Sequence, residues 1–388
     1  MRSPARRWLA SPRAALISVA LASFRVQLAL LLALLLALPT AAQDGGASSD
    51  AANPHAAVGA TEGASTAQST GTAPGTSPDA STDAASNTSA STAPTPASAQ
   101  KPAVAVAIAT SAPLLAAVYA GTRIVAVGDH GVVLLSDDGG KTFRQARSVP
   151  TRALLTGLSF VDAQHGWACG HDGLILVTAD GGETWAIQHE DLDGDKPLFA
   201  IHFRDVQHGF AVGLFNAALR SDDGGAHWTP FTLINGPAED KHLYGIFGHG
   251  DALYIAAEGG TLYRSTDAGA SWTEVQTSNP GSFWSGVVLR SGTVLAVGQR
   301  GHVFVSHDNG AGWSEVPSHT DQSLTDAVEL NDGSVLITGL AGVSLHSSDE
   351  GQTFVLAARG DRAPLFTALP QAGAAALLFG GNGVIDSH

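Results

Sequence analysis

One eight-residue motif recurs six times in this chain of 388 residues. It reads Ser/Thr-x-Asp-x-Gly-x-x-Trp/Phe, and successive copies begin 42, 43, 44, 41 and 41 residues apart. The copies occupy residues 136–143, 178–185, 221–228, 265–272, 306–313 and 347–354. A fixed period of this length indicates a repeat architecture, in which each unit buries its apolar face only against its neighbours. The period limits the possible folds more than any other feature of the chain.

The chemistry of the octet favours a structural role. Asp and Ser or Thr side chains hydrogen-bond to the backbone of their own turn, and the glycine at the fifth position can adopt a positive φ. The terminal aromatic residue is expected to pack on a neighbouring sheet. We therefore predict that each octet locks a hairpin, and that its aspartate is neither catalytic nor a metal ligand. The six aspartates are Asp138, Asp180, Asp223, Asp267, Asp308 and Asp349.

Each repeat also contains four short apolar segments, and four strands in about 42 residues are typical of one propeller blade. Six octets predict six blades between residues 113 and 357. Three further strands, at 365–368, 374–379 and 384–385, follow without an octet. We predict that residues 103–108 supply their fourth strand, because closure removes an open sheet edge. The predicted fold is all-β, a seven-bladed β-propeller of four-stranded blades at residues 101–388.

A longer motif, Phe-x-Asp-x-x-x-Gly-Trp/Phe-Ala-x-Gly, occurs at residues 160–170 and 203–213. The octet is similar to the Asp box of sialidase-type BNR repeats. Together the two motifs resemble the photosystem II assembly and stability factors of the Ycf48/HCF136 type and their relatives in non-photosynthetic bacteria. The resemblance covers residues 103–388 and implies a seven-bladed propeller that assists assembly of membrane protein complexes rather than catalysis. It also implies an arginine patch that holds the client. Here the arginines are scattered, and residues 101–388 carry 15 basic and 30 acidic side chains, so no patch is transferred.

The N-terminal 42 residues are predicted to be a secretory signal peptide, with five arginines, an apolar run at residues 26–38 and small residues after Pro39. The run is shorter than the roughly 20 residues that span a bilayer. The alternative, an uncleaved anchor, would place Arg25 in the membrane at a cost of about 2.5–3.5 kcal/mol. Residues 43–100 read as a disordered linker rich in Ala, Ser and Thr. We expect a periplasmic or secreted protein with no membrane insertion after cleavage.

The composition narrows the classes of partner. A formal net charge of −15 disfavours nucleic acid and anionic lipid, and a lone cysteine, Cys169, allows no intrachain disulfide and is expected to be buried and inert. The histidines lack metal-ligand spacing, and we predict no cofactor. The carboxylates of residues 191–195 could hold Ca²⁺, but the segment lacks the Gly and distal Glu of an EF-hand loop. A monomer that binds a protein client is the expectation.

Binding residues are expected on the loops that a rigid scaffold carries. In this propeller, the loops between second and third strands and those that enter each first strand should share the face away from the octets. Within it, Phe283 and Trp284 place two rings together, one for the core and one to anchor a partner. The predicted partner-binding face comprises Asp129, His130, Arg152, His171, Asp172, Phe215, Asn216, Lys241, His242, Glu258, Phe283, Trp284, Gln299 and Arg300.

The enzymatic alternative is a sialidase-like propeller that binds or hydrolyses glycans. That chemistry needs three arginines for the substrate carboxylate, a Tyr/Glu nucleophile pair and an acidic residue. The Phe-Arg-Ile-Pro signature is absent from the sequence, Arg220 and Arg264 immediately precede octets, and no tyrosine stands in a recognisable Tyr–Glu arrangement. The tyrosines are Tyr119, Tyr244, Tyr254 and Tyr263. We predict a non-enzymatic scaffold, for which an envelope membrane complex is the expected client.

Overall fold

Short antiparallel strands make up nearly all of the regular structure. The computed structural model describes residues 100–192, 196–234 and 240–385, which belong to one unit, Ser91–His388. The predicted signal peptide, and the predicted linker up to residue 99, lie outside the described residues. In the described residues, none of the helical segments has the length and apolarity needed to cross a bilayer.

The strands group into seven sheets in chain order. Blades 1 to 3 comprise β1 (Leu114–Ala120), β2 (Arg123–Gly128), β3 (Val133–Ser136), β4 (Arg144–Gln145), β5 (Leu155–Phe160), β6 (Gly166–Gly170), β7 (Ile175–Thr178), β8 (Ala186–His189), β9 (Leu198–Phe203), β10 (Gly209–Gly213), β11 (Ala218–Ser221) and β12 (Thr229–Pro230). Blades 4 to 7 comprise β13 (Leu243–His249), β14 (Ala252–Ala257), β15 (Thr261–Ser265), β16 (Thr273–Gln276), β17 (Phe283–Val288), β18 (Val294–Gly298), β19 (Val303–Ser306), β20 (Ser314–Val316), β21 (Leu324–Glu329), β22 (Val335–Gly339), β23 (Val343–Ser347), β24 (Val355–Ala358), β25 (Leu365–Pro370), β26 (Ala376–Gly380) and β27 (Gly383–Ile385).

The blades form a closed ring around an axis lined by their first strands. Each first strand contacts the first strand of the next blade, and β25 contacts β1. The prediction of a seven-bladed β-propeller is therefore confirmed. The core lies between blades, as where Val125 and Leu135 of blade 1 pack with Leu155 and Leu176 of blade 2. Burying such a side chain contributes about 1.5–3 kcal/mol, so the stability of each blade depends on its neighbours.

Each octet closes the hairpin between the third and fourth strands of its blade. In the first, Asp138 Oδ1 accepts hydrogen bonds from Ser136 Oγ at 2.8 Å and from the Thr142 N–H at 2.9 Å. The Gly140 N–H donates to Ser136 Oγ at 2.9 Å, with Gly140 at φ 88°. A further hydrogen bond, from Thr142 Oγ1, is the main reason why the pKa of Asp138 falls to about 2. The carboxylate is thus occupied by its own turn.

The octets also join neighbouring blades. Gly310, in the octet of blade 5, has φ 77°, and a Cβ there would lie 2.3 Å from Tyr254 Cε1 of blade 4. Trp313 of the same octet meets Tyr254 edge to face at 6.4 Å, and Tyr254 Oη donates to Asn309 Oδ1 at 2.7 Å. This octet therefore packs on the blade that precedes it, as the octet aromatics were expected to do.

Blade 7 differs from the prediction at its outer edge. Within the described residues its sheet has three strands, β25 to β27, and residues 103–108 form no strand. They run beside blade 1, where the Ala103 N–H donates to Val149 O at 2.9 Å and the Val106 N–H donates to Gln145 Oε1 at 2.8 Å. The turn at Ala109–Ser111 lies against β27, so close that a Cβ on Gly383 would sit 1.8 Å from Thr110 O. This turn occupies the edge where a fourth strand would pair.

Candidate functional site

The first strand of every blade carries a β-bulge at its second residue. In each blade the register between the first and second strands shifts across that residue, and such bulges redirect side chains. The seven bulged residues all line one cavity of ≈ 250 Å³ on the propeller axis. They are Leu115, Thr156, Phe199, Tyr244, Trp284, Thr325 and Phe366.

In six of the seven blades a glycine ends the second strand, and blade 4 has Ala257 at this position and carries the same bulge. A Cβ on Gly298 would lie 2.1 Å from Ser282 O, just before the first strand of the same blade. The next residue, Gln299, donates its N–H to that carbonyl at 2.9 Å. Blade 1 repeats the arrangement, with a Cβ on Gly128 falling 1.9 Å from Pro113 O. In these blades the close backbone approach accompanies the bulge that turns Trp284 and its counterparts towards the axis.

Four of the seven bulged residues are aromatic: Phe199, Tyr244, Trp284 and Phe366, on blades 3, 4, 5 and 7. We call this set of four residues around the axis the aromatic ring, and we call the end of the cavity that they surround the channel mouth. Phe199 and Tyr244 stack with centroids 5.8 Å apart and an interplanar angle of 11°. Large side chains of this kind dominate the energetics of protein interfaces when they lie in concave sites. The ring therefore gives the channel mouth an apolar binding surface.

The residues one position deeper are small, which keeps the cavity open behind the ring. They are Ala116, Gly157, Ala200, Gly245, Ser285, Asp326 and Thr367. Asp326 differs from the rest of this belt, and it is the one charged side chain among the described residues that line the cavity. Its Oδ1 accepts a hydrogen bond from Ser285 Oγ at 2.9 Å, and its Oδ2 accepts one from Thr367 Oγ1 at 2.7 Å. Burial raises the pKa of Asp326, an effect that these hydroxyls partly offset.

Polar groups adjoin the aromatic ring around Tyr244. His242 meets Tyr244 edge to face at 6.1 Å and Phe215 at 5.0 Å, and its backbone N–H donates to Glu258 Oε2 at 3.2 Å. Burial is the main cause of a raised pKa at Tyr244, the negative charge of Glu258 adds to it, and a hydrogen bond with Ser282 opposes it. The Tyr244 hydroxyl is thus neutral and already has a hydrogen bond with Ser282.

Comparison with known proteins shows a partial sequence similarity to one family. The model of the photosystem II assembly factor YCF48 family matches residues 186–320. The photosystem II assembly protein Ycf48 of Thermosynechococcus vestitus is 38% identical over 162 residues, which cover 40% of this chain and 45% of that protein. Over these residues the chain is similar to the Ycf48 family. The alignment spans less than half of the length of that curated relative.

Two solved structures share the Ycf48-like fold. One, described as YCF48 bound to D1 peptide, superimposes with a TM-score of 0.59 at 19% identity, covering 71% of this chain and 92% of that one. The other, YCF48 from Cyanidioschyzon merolae, gives a TM-score of 0.56 at 16% identity, covering 71% and 94%. At these identities the likeness extends to the fold.

Most residues of the predicted partner-binding face hold the loops of the propeller. Lys241 pairs with Glu274 at 2.8 Å, and Arg152 Nε donates to Pro102 O at 2.8 Å. Gln299 Oε1 accepts from the Ser282 N–H at 3.2 Å. The backbone N–H groups of Asp129 and His171 donate to carbonyls that precede the first strands. A further group occupies left-handed positions at loop tips, namely His130, Asp172, Phe215, Asn216 and Arg300.

The structure brings a smaller set together at the axis and corrects one expectation. Trp284 lines the cavity, with Tyr244 beside His242, Phe215 and Glu258. Phe283, predicted on the same face, is fully buried and meets Phe304 edge to face at 5.3 Å. It is the first residue of its strand, a position that faces the core in every blade. Of the two adjacent rings, only Trp284 reaches the cavity.

Sequence reasoning missed Phe199, Phe366 and Asp326. The signal was present, because aligning the repeats on the first apolar residue of each first strand puts Phe199 and Phe366 in register with Trp284. The same alignment places Asp326 among residues that are otherwise small. What the alignment lacks is the bulge, which turns the second residue towards the axis.

We assign no chemical role to the two remaining candidates, the proposed Ca²⁺ segment and Cys169. Of the proposed Ca²⁺ segment, residues 193–195 lie outside the described residues, and the Asp191 N–H donates to Asp172 O at 2.8 Å. Within the described ranges, no group of three or more His, Cys, Asp or Glu residues could hold a metal ion. Cys169 is buried, as expected, and burial raises its pKa to about 12.

Proposed function

We propose that this chain is a non-catalytic propeller that binds a segment of a client protein at the channel mouth during assembly of a membrane protein complex. The observation that carries the proposal is the aromatic ring, which four of the seven equivalent bulges place around one cavity. A concave site lined by aromatic side chains with few polar groups is suited to ligand binding.

The Ycf48-like relatives support a protein client. The curated relative is an assembly protein for photosystem II, and a structure of the same fold is described as bound to D1 peptide. Both descriptions apply to the relatives themselves and not to this chain. For this chain we infer the coarser property, capture of a polypeptide, and propose an envelope membrane complex as its source.

The cavity argues against sialidase-like chemistry. A sialoside carboxylate needs arginines, and the described residues that line the cavity include no arginine and one carboxylate, Asp326. Arg264 Nε donates to Asn309 O beside an octet, and Arg220 lies 3.9 Å from Asp222. Both arginines therefore lie by the octets, away from the mouth.

The proposed location is the periplasm or the cell exterior, from the signal-peptide pattern of residues 1–42. Detection of the chain in periplasmic fractions, with its N-terminus near residue 43, would support this. Retention in the cytoplasm would contradict it.

Crosslinking followed by affinity capture from envelope extracts tests the proposed function. The wild-type chain should recover a discrete client, and Phe199→Ala together with Trp284→Ala should lose it. The matched control is Val355→Ala together with Leu356→Ala, which removes two exposed apolar side chains from β24, the outer strand of blade 6. Retention of the client by the double variant would exclude the mouth as its binding site.

A further inference from the structure

The cavity behind the aromatic ring contains an acidic group that the proposed function does not explain. Building on that function, we propose that the mouth receives a lysine or arginine side chain of the client. The cationic head group would pair with Asp326, and the alkyl stem would lie among the four side chains of the aromatic ring. The partner segment is therefore basic, and the formal net charge of −15 on this chain favours its approach.

Asp326 has capacity for this partner. A carboxylate offers about four acceptor positions on two oxygens, and Ser285 Oγ and Thr367 Oγ1 donate one hydrogen bond to each oxygen. Both donors are neutral hydroxyls, and among the described residues no lysine, arginine or histidine forms an ion pair with Asp326. A buried carboxylate without a counter-ion is costly, so a cation that reaches it is bound favourably.

The flanking blades add a second attraction for cations. Asp326 belongs to blade 6, and the bulged residues of the two adjoining blades are Trp284 and Phe366. The faces of aromatic rings attract ammonium and guanidinium groups, most strongly when both are removed from water. The four aromatic side chains also suit the methylene stem of Lys or Arg, which packs on apolar surfaces. Carboxylate and ring faces therefore select the same kind of group.

Space and hydrogen bonding fit a side chain that enters from a polypeptide. The cavity measures ≈ 250 Å³, whereas a cavity of about 150 Å³ in another protein admits benzene. The indole N–H of Trp284 is enclosed and has no acceptor among the described residues. A peptide carbonyl next to the basic residue would supply one. The small side chains of Gly245 and Ser285 leave the path towards Asp326 open.

Three capped pentapeptides that differ only at the central residue test this inference. They contain lysine, norleucine (the same stem without the ammonium group) or glutamate between alanines, and affinities are measured by NMR titration up to about 10 mM peptide. We expect the wild-type chain to bind the lysine peptide at least about tenfold more tightly than the norleucine peptide. The glutamate peptide should bind least.

Asp326→Asn should reduce the affinity for the lysine peptide to that for the norleucine peptide, whose own affinity should stay unchanged. Asp321→Asn is the matched control, because it removes an exposed carboxylate just before the same strand, β21, and should leave the lysine preference intact. If Asp326→Asn fails to fold, the comparison of the three peptides on the wild-type chain still tests whether the site prefers a cationic side chain.

Equal binding of lysine and norleucine peptides, or no binding of either, would overturn the inference. So would a lysine preference that survives in Asp326→Asn. The proposed function is judged separately, by whether Phe199→Ala with Trp284→Ala loses the client. Client capture that depends on the aromatic ring but not on Asp326 would refute the pairing of a basic side chain with Asp326. The proposal that the client docks at the channel mouth would be unaffected.

Discussion

Gly298 offers a direct test of how the channel mouth is built. In Gly298→Ala the new Cβ would lie 2.1 Å from Ser282 O and 2.8 Å from Phe283 Cα. Restoring an ordinary contact requires β17 and β18 to separate by roughly 1 Å. Overpacking of this kind costs about 1–3 kcal/mol. Loss of the hydrogen bond from the Gln299 N–H to Ser282 O adds about 1 kcal/mol, so we expect the free energy of unfolding to fall by about 2–4 kcal/mol.

The assay is urea unfolding followed by tryptophan fluorescence, with the free energy obtained by linear extrapolation. Gly360→Ala is the control, because no atom lies within 4 Å of its Cβ, and a Gly→Ala change without strain is neutral or stabilises by about 0.4–1 kcal/mol. The displaced bulge should also move Trp284, so Gly298→Ala should lose binding of the lysine peptide. Equal stability of the two variants would show that the glycine is not what permits the bulge.

Three further outcomes are expected. Hydrogen bonds hold the pKa of Asp138 at about 2, below its ordinary 3.8, so its stabilisation is complete above about pH 4 and is lost as the pH falls towards 2. The urea midpoint should drop over that interval, and less so in Asp138→Asn; equal drops would contradict the assignment. With a pKa of about 12, Cys169 should not react with a thiol reagent at about pH 8 until urea unfolds the chain; rapid labelling of the folded chain would be inconsistent with its burial. Wild-type protein should not hydrolyse sialosides, and turnover that disappears in Glu258→Gln would support the glycosidase alternative instead.

The repeat spacing predicted the blades because an octet marks the same hairpin in each one. The octets place β3, β7, β11, β15, β19 and β23 within a residue or two of where the structure has them. The bulges were not predicted, because each adds one residue near the start of a short strand and shifts the inward and outward alternation that follows. The mouth residues Phe199 and Phe366 were missed for this reason.

The error at residues 103–108 has a different cause. Val104, Val106 and Ile108 alternate with alanines, a pattern that suits a strand with one apolar face. In the structure all three are exposed. The deciding factor was the turn at Ala109–Ser111, which the chain needs in order to reach β1 and which occupies the free edge of β27. Local pattern alone carries no information about that steric conflict.

The contact between blades 7 and 1 has a mechanical consequence. Every other pair of neighbouring blades is joined by a single stretch of chain, whereas blades 7 and 1 touch only through space. In the described residues this junction depends on an edge-to-face pair, Phe143 with Phe379 at 6.2 Å, on the hydrogen bond from Tyr119 Oη to Pro370 O at 2.8 Å, and on packing around Leu369. A pulling force or a client that widens the ring would part the propeller at this seam first, turning a closed ring into an open arc. We therefore expect this seam to limit how far the channel mouth can widen.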